Sequence, residues 1–498
     1  VYASEATGMN ISVGRISLSF PLNLVVTDVD AASPHKDTLL SVRRLQVNVQ
    51  LLPLLKKQVE VDGISLQGAT VNSNDLIHGM RLNGTLGELF ISSHGVALDP
   101  ETAIVNKVLL KDTDLSLCLN DTAAADTAAS DTTYWKIILQ DIDLQNVSFA
   151  LDMPLDSLSL AASLDNATLR DGLIDLHKSA YSLQTFRIKN GRVRYDSGRP
   201  SATASADSLS AGLDPSHIAL TDIGVKLDSL YYEGRNMKAV ISQFVLKERS
   251  GVEIVSTEGR LVSNDKVLRV PSLKLETRDS YLELNAAMDW DALDFKKEGL
   301  VSARLMADIG KPDVVRFMGS MDEKFIRKYP SEPLRIRTGI DGDLNKLKLT
   351  TLTAELPGAL ELFAKGELTS LTDSLLRGGD ITLQAETKDL KFISTLAEGI
   401  EIPYGTRLEG KFTMAGPKMG TDLLLMQPEA HAVAAADTIP ITVYNDSISV
   451  ADDFKMERAA RLFAKYDLSR DRYEADLAVN HFDLHQFMPA DSLYTLST

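Results

Sequence analysis

Residues 16–26 read Ile-Ser-Leu-Ser-Phe-Pro-Leu-Asn-Leu-Val-Val, and Ile16, Leu18, Phe20, Leu22, Leu24 and Val26 share one parity. Side chains of a strand point alternately to opposite faces, so this spacing predicts a strand with one apolar and one wet face. The pattern returns at Leu45/Val47/Val49/Leu51, Leu115/Leu117/Leu119, Leu282/Leu284/Ala286/Met288, Ala303/Leu305/Ala307/Ile309 and Tyr473/Ala475/Leu477/Val479. It confines the chain to a mainly β fold, an elongated, curled antiparallel sheet with a few short helices.

Turn signals punctuate the pattern. The polar cluster Ser33–Asp37 reads as a turn, as do Gly63, Gly68, Asn83-Gly84 and Gly95. At about 14 residues per strand and turn, the chain would hold roughly 35 strands. Two stretches echo each other, Val61-Asp-Gly-Ile-Ser-Leu-Gln-Gly-Ala-Thr-Val71 and Leu183-Gln-Thr-Phe-Arg-Ile-Lys-Asn-Gly-Arg-Val193. Each reads as alternating apolar residues, a short turn and a new strand, and residues 139–149 give a shortened version. Gly342, Gly366 and Gly410 each stand beside alternating strands. The whole describes a meander that can be extended by adding strands.

Helical spacing occurs in three places. Val314, Met318, Met321 and Phe325 predict a helix over 312–328, and Leu390, Ile393 and Leu396 one over 388–398, ended by Gly399. A third, short one covers His485 to Met488, before Pro489. Residues 121–133, Asp-Thr-Ala-Ala-Ala-Asp-Thr-Ala-Ala-Ser-Asp-Thr-Thr, contain no large apolar side chain and are expected to form a flexible loop. The chain thus divides into an N-terminal β segment (1–120), the loop (121–133), a continuing β segment (134–310) and β repeats with short helices (311–498).

Composition excludes several roles. The net charge is -17, with no Lys/Arg cluster. This argues against a nucleic-acid partner, whose phosphates need a basic footprint, and against polybasic attachment to anionic lipid. Cys118 is the sole cysteine, so no intrachain disulfide can form. No apolar run of about 18 residues occurs. The chain starts at Val1 rather than Met, and the expectation is that it is a piece of a longer protein whose signal or anchor is missing.

Catalytic signatures are scarce. There is no phosphate-binding glycine loop and no GxSxG elbow. His481 and His485 lack a third ligand, and Asp341-Gly-Asp343-Leu-Asn345 departs from a calcium loop at Lys346 and Leu352, so it reads as a polar hairpin turn. No enzyme activity, catalytic residue, metal or cofactor is expected. The tripeptide Asp-Ser/Thr-apolar recurs, for example at Asp156-Ser-Leu158, Asp228-Ser-Leu230 and Asp373-Ser-Leu375. Asp and Ser start turns by bonding nearby backbone, which accounts for many copies. It also resembles a periplasmic O-glycosylation signal of one Gram-negative phylum. The copies in 121–133 make Thr122, Thr127 and Thr132 glycosylation candidates.

The stretches Ile11-Ser-Val-Gly-Arg-Ile-Ser-Leu-Ser-Phe20, Asp37-Thr-Leu-Leu40, Leu45-Gln-Val-Asn-Val49 and Val61–Val71 resemble the start of AsmA-like proteins. Leu334 to Leu368, with Gly339, Gly342, Leu344, Leu347, Leu349 and Gly366, looks like the repeats of the translocation and assembly module family, TamB. Phe482-Asp-Leu-His-Gln-Phe-Met-Pro489 is similar to the short helical punctuation between such repeats. The resemblance implies a groove-shaped sheet in the periplasm and an inner-membrane anchor before Val1. It also implies an Omp85-class outer-membrane barrel as partner and a role in phospholipid transfer or outer-membrane protein assembly. No family residue carries over singly. Independently, a curled sheet with one apolar face offers a track to acyl chains, and the candidates to line it are Ile16, Leu18, Phe20, Leu22, Leu24, Leu282, Leu284, Ala303 and Leu305. The alternative is a structural or adhesive β-sandwich whose apolar faces cover each other.

Overall fold

A computed structural model describes residues 10–19, 23–33, 38–49, 61–73, 79–97, 101–120, 134–198, 212–294, 297, 299–318, 323–343, 345–371, 373, 375–395, 401–428, 442–444, 447–449, 456–480 and 487. The chain is mainly β and divides into two compact units, Val1–Asp265 and Lys266–Thr498.

The first unit holds β1 (Asn10–Ser19), β2 (Asn23–Ala32), β3 (Thr38–Val49), β4 (Val61–Asn72), β5 (Met80–Ala97), β6 (Thr102–Leu119), β7 (Lys136–Met153), β8 (Leu158–Asp175), β9 (Ala180–Leu183), β10 (Thr185–Ser197), β11 (His217–Glu233), β12 (Asn236–Glu248) and β13 (Glu253–Ser263). Sequence neighbours pair antiparallel, and β8 pairs with both β9 and β10. One pair departs from the expected antiparallel order. β6 and β7 run parallel, with Thr102 opposite Lys136 and Cys118 opposite Asp152. A parallel pair needs a connection that returns along the strand, which a tight turn cannot provide. The expectation for 121–133, and with it Thr122, Thr127 and Thr132, lies outside the described residues.

The second unit holds β14 (Val267–Thr277), β15 (Tyr281–Asp289), β16 (Val301–Ile309), β17 (Leu334–Gly342), β18 (Lys346–Leu356), β19 (Leu360–Thr369), β20 (Gly378–Thr387), β21 (Arg407–Ala415), β22 (Lys418–Pro428), the hairpin β23 (Thr442–Tyr444) and β24 (Ser447–Ser449), then β25 (Met456–Asp467) and β26 (Arg472–Val479). All its pairs are antiparallel and follow the chain, β25 joining β22 directly.

Among the described residues there are 26 strands, not roughly 35, and β5 to β8 reach 18 residues each. The reason is that several turn signals are not turns. Gly63 and Gly68 lie inside β4, and Asn83-Gly84 and Gly95 inside β5. The echoing motifs also run through strands without a turn at their polar residue, Gly68 in β4, Asn146 in β7 and Asn190 in β10, the last motif starting at Leu183, the end of β9.

These residues form a column across the first unit. Gly14, Asp28, Arg43, Gly68, Gly87, Asp112, Asn146, Asp165 and Asn190 stand at neighbouring positions on consecutive strands and are skipped in the ladder. Five column positions, Asp28, Gly68, Asp112, Asn146 and Asn190, and Asp222 next to them on β11, have φ between 48° and 62°. This left-handed conformation suits Gly, Asn and Asp and penalises other side chains. One such residue turns the strand so that apolar parity reverses, from Ile142/Leu144 to Val147/Phe149 in β7 and from Phe186/Ile188 to Val193/Tyr195 in β10. The apolar set therefore stays on one face while the strand bends, as at a β-bulge. Val42, Thr113, Ala167 and Ile223, beside the column, are buried.

The segment 16–26 is likewise two strands. β1 and β2 form a hairpin with Ile16 opposite Val26 and Leu18 opposite Leu24. Paired numbers sum to 42, so even positions face even positions and the parity is the same in both strands. The helix read over 312–328 is two short helices, α1 (Lys311–Met318) and α2 (Glu323–Lys328). Of the one read over 388–398, the described residues show a 3-10 turn at Ile393–Thr395, closed by local hydrogen bonds such as Ile393 N–H to Leu390 O at 2.8 Å, and 396–398 lie outside the described residues. Of 485–488 only Phe487 is described, with its carbonyl accepting from Glu401 N–H at 2.7 Å.

Candidate apolar face

The ladder turns the alternation into continuous rows. In the first unit, Leu18, Leu24, Val47, Ile64, Ile91, Val108, Ile142, Leu169, Phe186, Leu227 and Ile241 are cross-strand neighbours in succession. The adjacent row starts at Ile16 and Val26 and runs through Leu45, Leu66, Leu89, Leu110 and Leu144 to Ala167 and Ile188. In the second unit, Leu273, Leu284, Leu305, Thr338, Leu352, Ala364, Leu383, Gly410, Leu423, Leu462 and Leu477 form one row. Leu282 belongs to the row Leu275–Leu282–Ala307–Ile336–Ala354, and Ala303 to Ala286–Ala303–Ile340–Leu349.

The candidates thus fall into two sets. Ile16, Leu18 and Leu24 share a face at the edge of the first unit, with Ile16 66% and Leu18 67% exposed. Leu282, Leu284, Ala303 and Leu305 share a face inside the second, each half-buried. Phe20 and Leu22 lie outside the described residues, as do His481 and His485. Cross-strand apolar pairs stabilise a sheet by a few tenths to 1 kcal/mol each, roughly, so the rows hold their own strands together without a facing layer.

The opposite face of the second unit is ionic. Arg304 grips Asp341 with two hydrogen bonds of 3.1 and 2.6 Å, and Arg461 grips Asp422 with 2.8 and 2.6 Å. Arg337–Asp308 (2.7 Å), Arg407–Glu386 (3.0 Å) and Arg335–Glu355 (3.5 Å) likewise bridge adjacent strands. Hydrogen bonds from Arg304 and Ser302 hold the Asp341 carboxyl below its ordinary value, and Arg461 does the same for Asp422. In the first unit the column carries comparable polar links. Asn146 donates to Asp112 at 2.9 Å, Asn190 donates to Asp165, and Lys247 pairs with Asp222 at 2.9 Å. No family model matches this chain, and no curated protein matches it.

Among the described residues, one end of the second unit's apolar face is roofed. In the second unit Phe325, Tyr329, Leu356, Ala359, Leu390 and Phe392 form a buried cluster, against which Val314, Ile326, Leu334, Leu360, Ile393 and Ile402 pack. Phe325 is 1% exposed, and its ring meets Phe392 edge-on at 5.6 Å and Tyr329 at 5.7 Å. Burial raises the Tyr329 phenol above its usual range. A polar clamp fixes α1 to the β14–β15 turn. The buried Asp313 carboxylate accepts from Thr277, from Ser280 at 2.6 Å and from Arg316 at 2.9 Å, and Arg316 also pairs with Asp279 at 3.0 Å. The tertiary partners of this cap, 31 to 67 residues apart along the chain, could not be read from local spacing. Its one sequence signal is the pair of short helical patterns.

The remaining features are structural. At 341–345 the chain makes the expected hairpin turn, where Asp343 Oδ1 accepts from the backbone of Asn345 and Lys346 at 2.8 and 2.7 Å. Asp373 starts a turn by the same means, accepting from Leu375 and Leu376 N–H. Cys118 and its neighbours Leu117 and Leu119 stand at alternate ladder positions, and the thiol lies 3.3 Å from Asn120 Oδ1. Among the described residues no cluster of three or more His, Cys, Asp or Glu is arranged to hold a metal, and no helix is long and apolar enough to cross a membrane.

Proposed function

We propose that this chain is the body of a bacterial envelope protein that carries phospholipid acyl chains on its apolar face. It would work in the periplasm, anchored at the inner membrane and partnered by an Omp85-class outer-membrane barrel, in lipid transfer or outer-membrane protein assembly. The observation that carries the reading is the continuity of the apolar rows. Two rows, Leu18 to Ile241 in the first unit and Leu273 to Leu477 in the second, each cross ten or more strands, with only Thr338 and Gly410 as interruptions. A site for a single small ligand needs a few convergent polar groups, whereas acyl chains need only uninterrupted apolar surface. Each buried CH₂ contributes about 0.8 kcal/mol, so a row of this kind can shield a tail from water without specific contacts. The location and the barrel partner rest on the family resemblance.

Photo-crosslinkers test the reading directly. Placed at Leu18, Leu24, Leu284 and Leu305 in the envelope-expressed protein, they should capture phospholipid. At Ser17, Glu283 and Arg304, on the other face, they should not. Equal capture on both faces would remove the proposal. Absence of capture, together with unfolding of the Leu305→Arg protein, would establish the sandwich alternative, because only a closed core is destroyed by a single unpaired charge.

A further inference from the structure

The two rims of the second unit differ in chemistry. At one rim the connections β16–β17, β18–β19 and β20–β21 build the aromatic cap over the ends of the strands. At the other, the chain turns between β15 and β16, β17 and β18, β19 and β20, and β25 and β26. There Leu293, Leu300, Leu375, Leu376 and Leu468 are all exposed, Leu375 at 76% and Leu376 at 71%. Tyr473, at the same rim on the apolar parity and opposite Tyr466, is exposed as well. These solvent-facing leucines recur at three turns along this edge, and exposed leucine side chains at each are available to an apolar partner. Tyrosine with its ring in an apolar layer and its hydroxyl at the water boundary suits the headgroup level of a lipid. The Tyr466 hydroxyl points to this rim, donating to Asp471 at 2.8 Å.

The width of the open band fits the same ligand. On β19 the apolar positions Leu362, Ala364 and Leu368 span six residue steps, or about 20 Å at strand rise, with Ala364 buried among its neighbours. One leaflet of a bilayer core is about 15 Å deep. Resting on the acyl-chain reading above, we infer that the leucine-bearing rim is the edge across which a phospholipid tail enters the apolar face, its chain lying along the strands. The tail end points toward the Phe325–Tyr329–Phe392 cap and the headgroup remains at the leucine and tyrosine rim. The cap is thereby a closed end, not a second opening.

Two experiments on the full chain test this. First, the unsubstituted protein is loaded from phosphatidylethanolamine/phosphatidylglycerol vesicles in which the lipid bears a diazirine either at the chain terminus or beside the carbonyl. The terminal probe should mark residues next to the cap several-fold more than the carbonyl probe, and the carbonyl probe should favour Leu368, Met419 and Tyr473. Second, the paired substitution Leu375→Asp/Leu376→Asp, at exposed positions, should lower lipid capture several-fold with no loss of thermal stability. Phe317→Asp, exposed on the cap side, should leave capture unchanged. Identical maps for the two probes, or equal loss in both variants, would overturn the inference while the acyl-chain reading stands. No label on any apolar row would overturn both.

Discussion

In the first unit the strands β1 to β8, β10 and β11 reverse their apolar parity at the column of Gly, Asn, Asp and Arg residues. In the second unit, among the described residues, β14 and β18 reverse it and β25 carries one extra residue against β22, while the other sheet strands alternate. Glycines differ accordingly. Gly68 is needed for its backbone, with φ at 62°. Gly366 has no such conformation but is needed for space, since a Cβ there would lie 2.2 Å from Asp380 O. One-sided sheets can thus be kept one-sided either by bending every strand at a shared column or by keeping alternation strict and letting glycine admit a neighbouring backbone. Beside the column of the first unit Val42, Ala167 and Ile223 are buried, and in the second unit an aromatic cap covers one end of the face.

Deleting Asn146 should have the largest effect. It leaves β7 one residue short of the skipped positions Asp112 and Asp165 on its neighbours, so pairing beyond the column slips by one and sets Val147, Phe149 and Leu151 opposite polar-face positions of β6 and β8. The first unit should lose cooperative unfolding and become protease-sensitive, while fragments of the second remain resistant. Retention of a resistant first unit would show that the column is not what sets the face.

Phe325→Ala should come next. A fully buried Phe costs about 3–5 kcal/mol when truncated, and hydrogen exchange should rise in α1, α2 and 388–395 without change in the first unit. If exchange stays flat there, the cap is not a cooperative element.

The glycine contrast is sharpened by one substitution made twice. Gly68→Asn should cost about 1 kcal/mol or less, because Asn occupies the left-handed conformation at the corresponding positions 146 and 190 and the neighbour that must give way is the Arg43 side chain. Gly366→Asn should cost about 1–3 kcal/mol through overpacking against β20. Urea denaturation of each protein checks the pair, and equal costs would erase the distinction.

The polar face should matter least. Removing the exposed Arg304–Asp341 pair should cost below about 1 kcal/mol by double-mutant cycle. Its pH dependence has a definite sign. The folded Asp341 carboxyl is lower than its ordinary 3.8, so the pair stabilises above that value and loses its contribution as pH falls from 3.8 through the folded value. Asp341→Asn should flatten the acid limb of the second unit's stability curve and leave the neutral region nearly unchanged.

Alternation alone determined the class of fold and the residues that share a face, because side-chain direction follows from strand geometry without any partner. Ile16, Leu18 and Leu24 could be grouped before the hairpin was known, since a turn with an even register sum keeps parity. What local signals could not decide was whether an Asp, Asn or Gly ends a strand or kinks it. The left-handed residue serves both, and only the presence of neighbours on each side of Gly68 or Asn146 continues the strand. Parallel pairing of β6 with β7 was equally hidden, as nothing in either strand's pattern depends on its neighbour's direction. The cap was legible only as two short helical patterns. Its assembly depends on Phe325, Leu356 and Phe392 meeting from three connections, and on Asp313 reaching Thr277 and Ser280, contacts that exist only once the sheet has placed those connections at one rim.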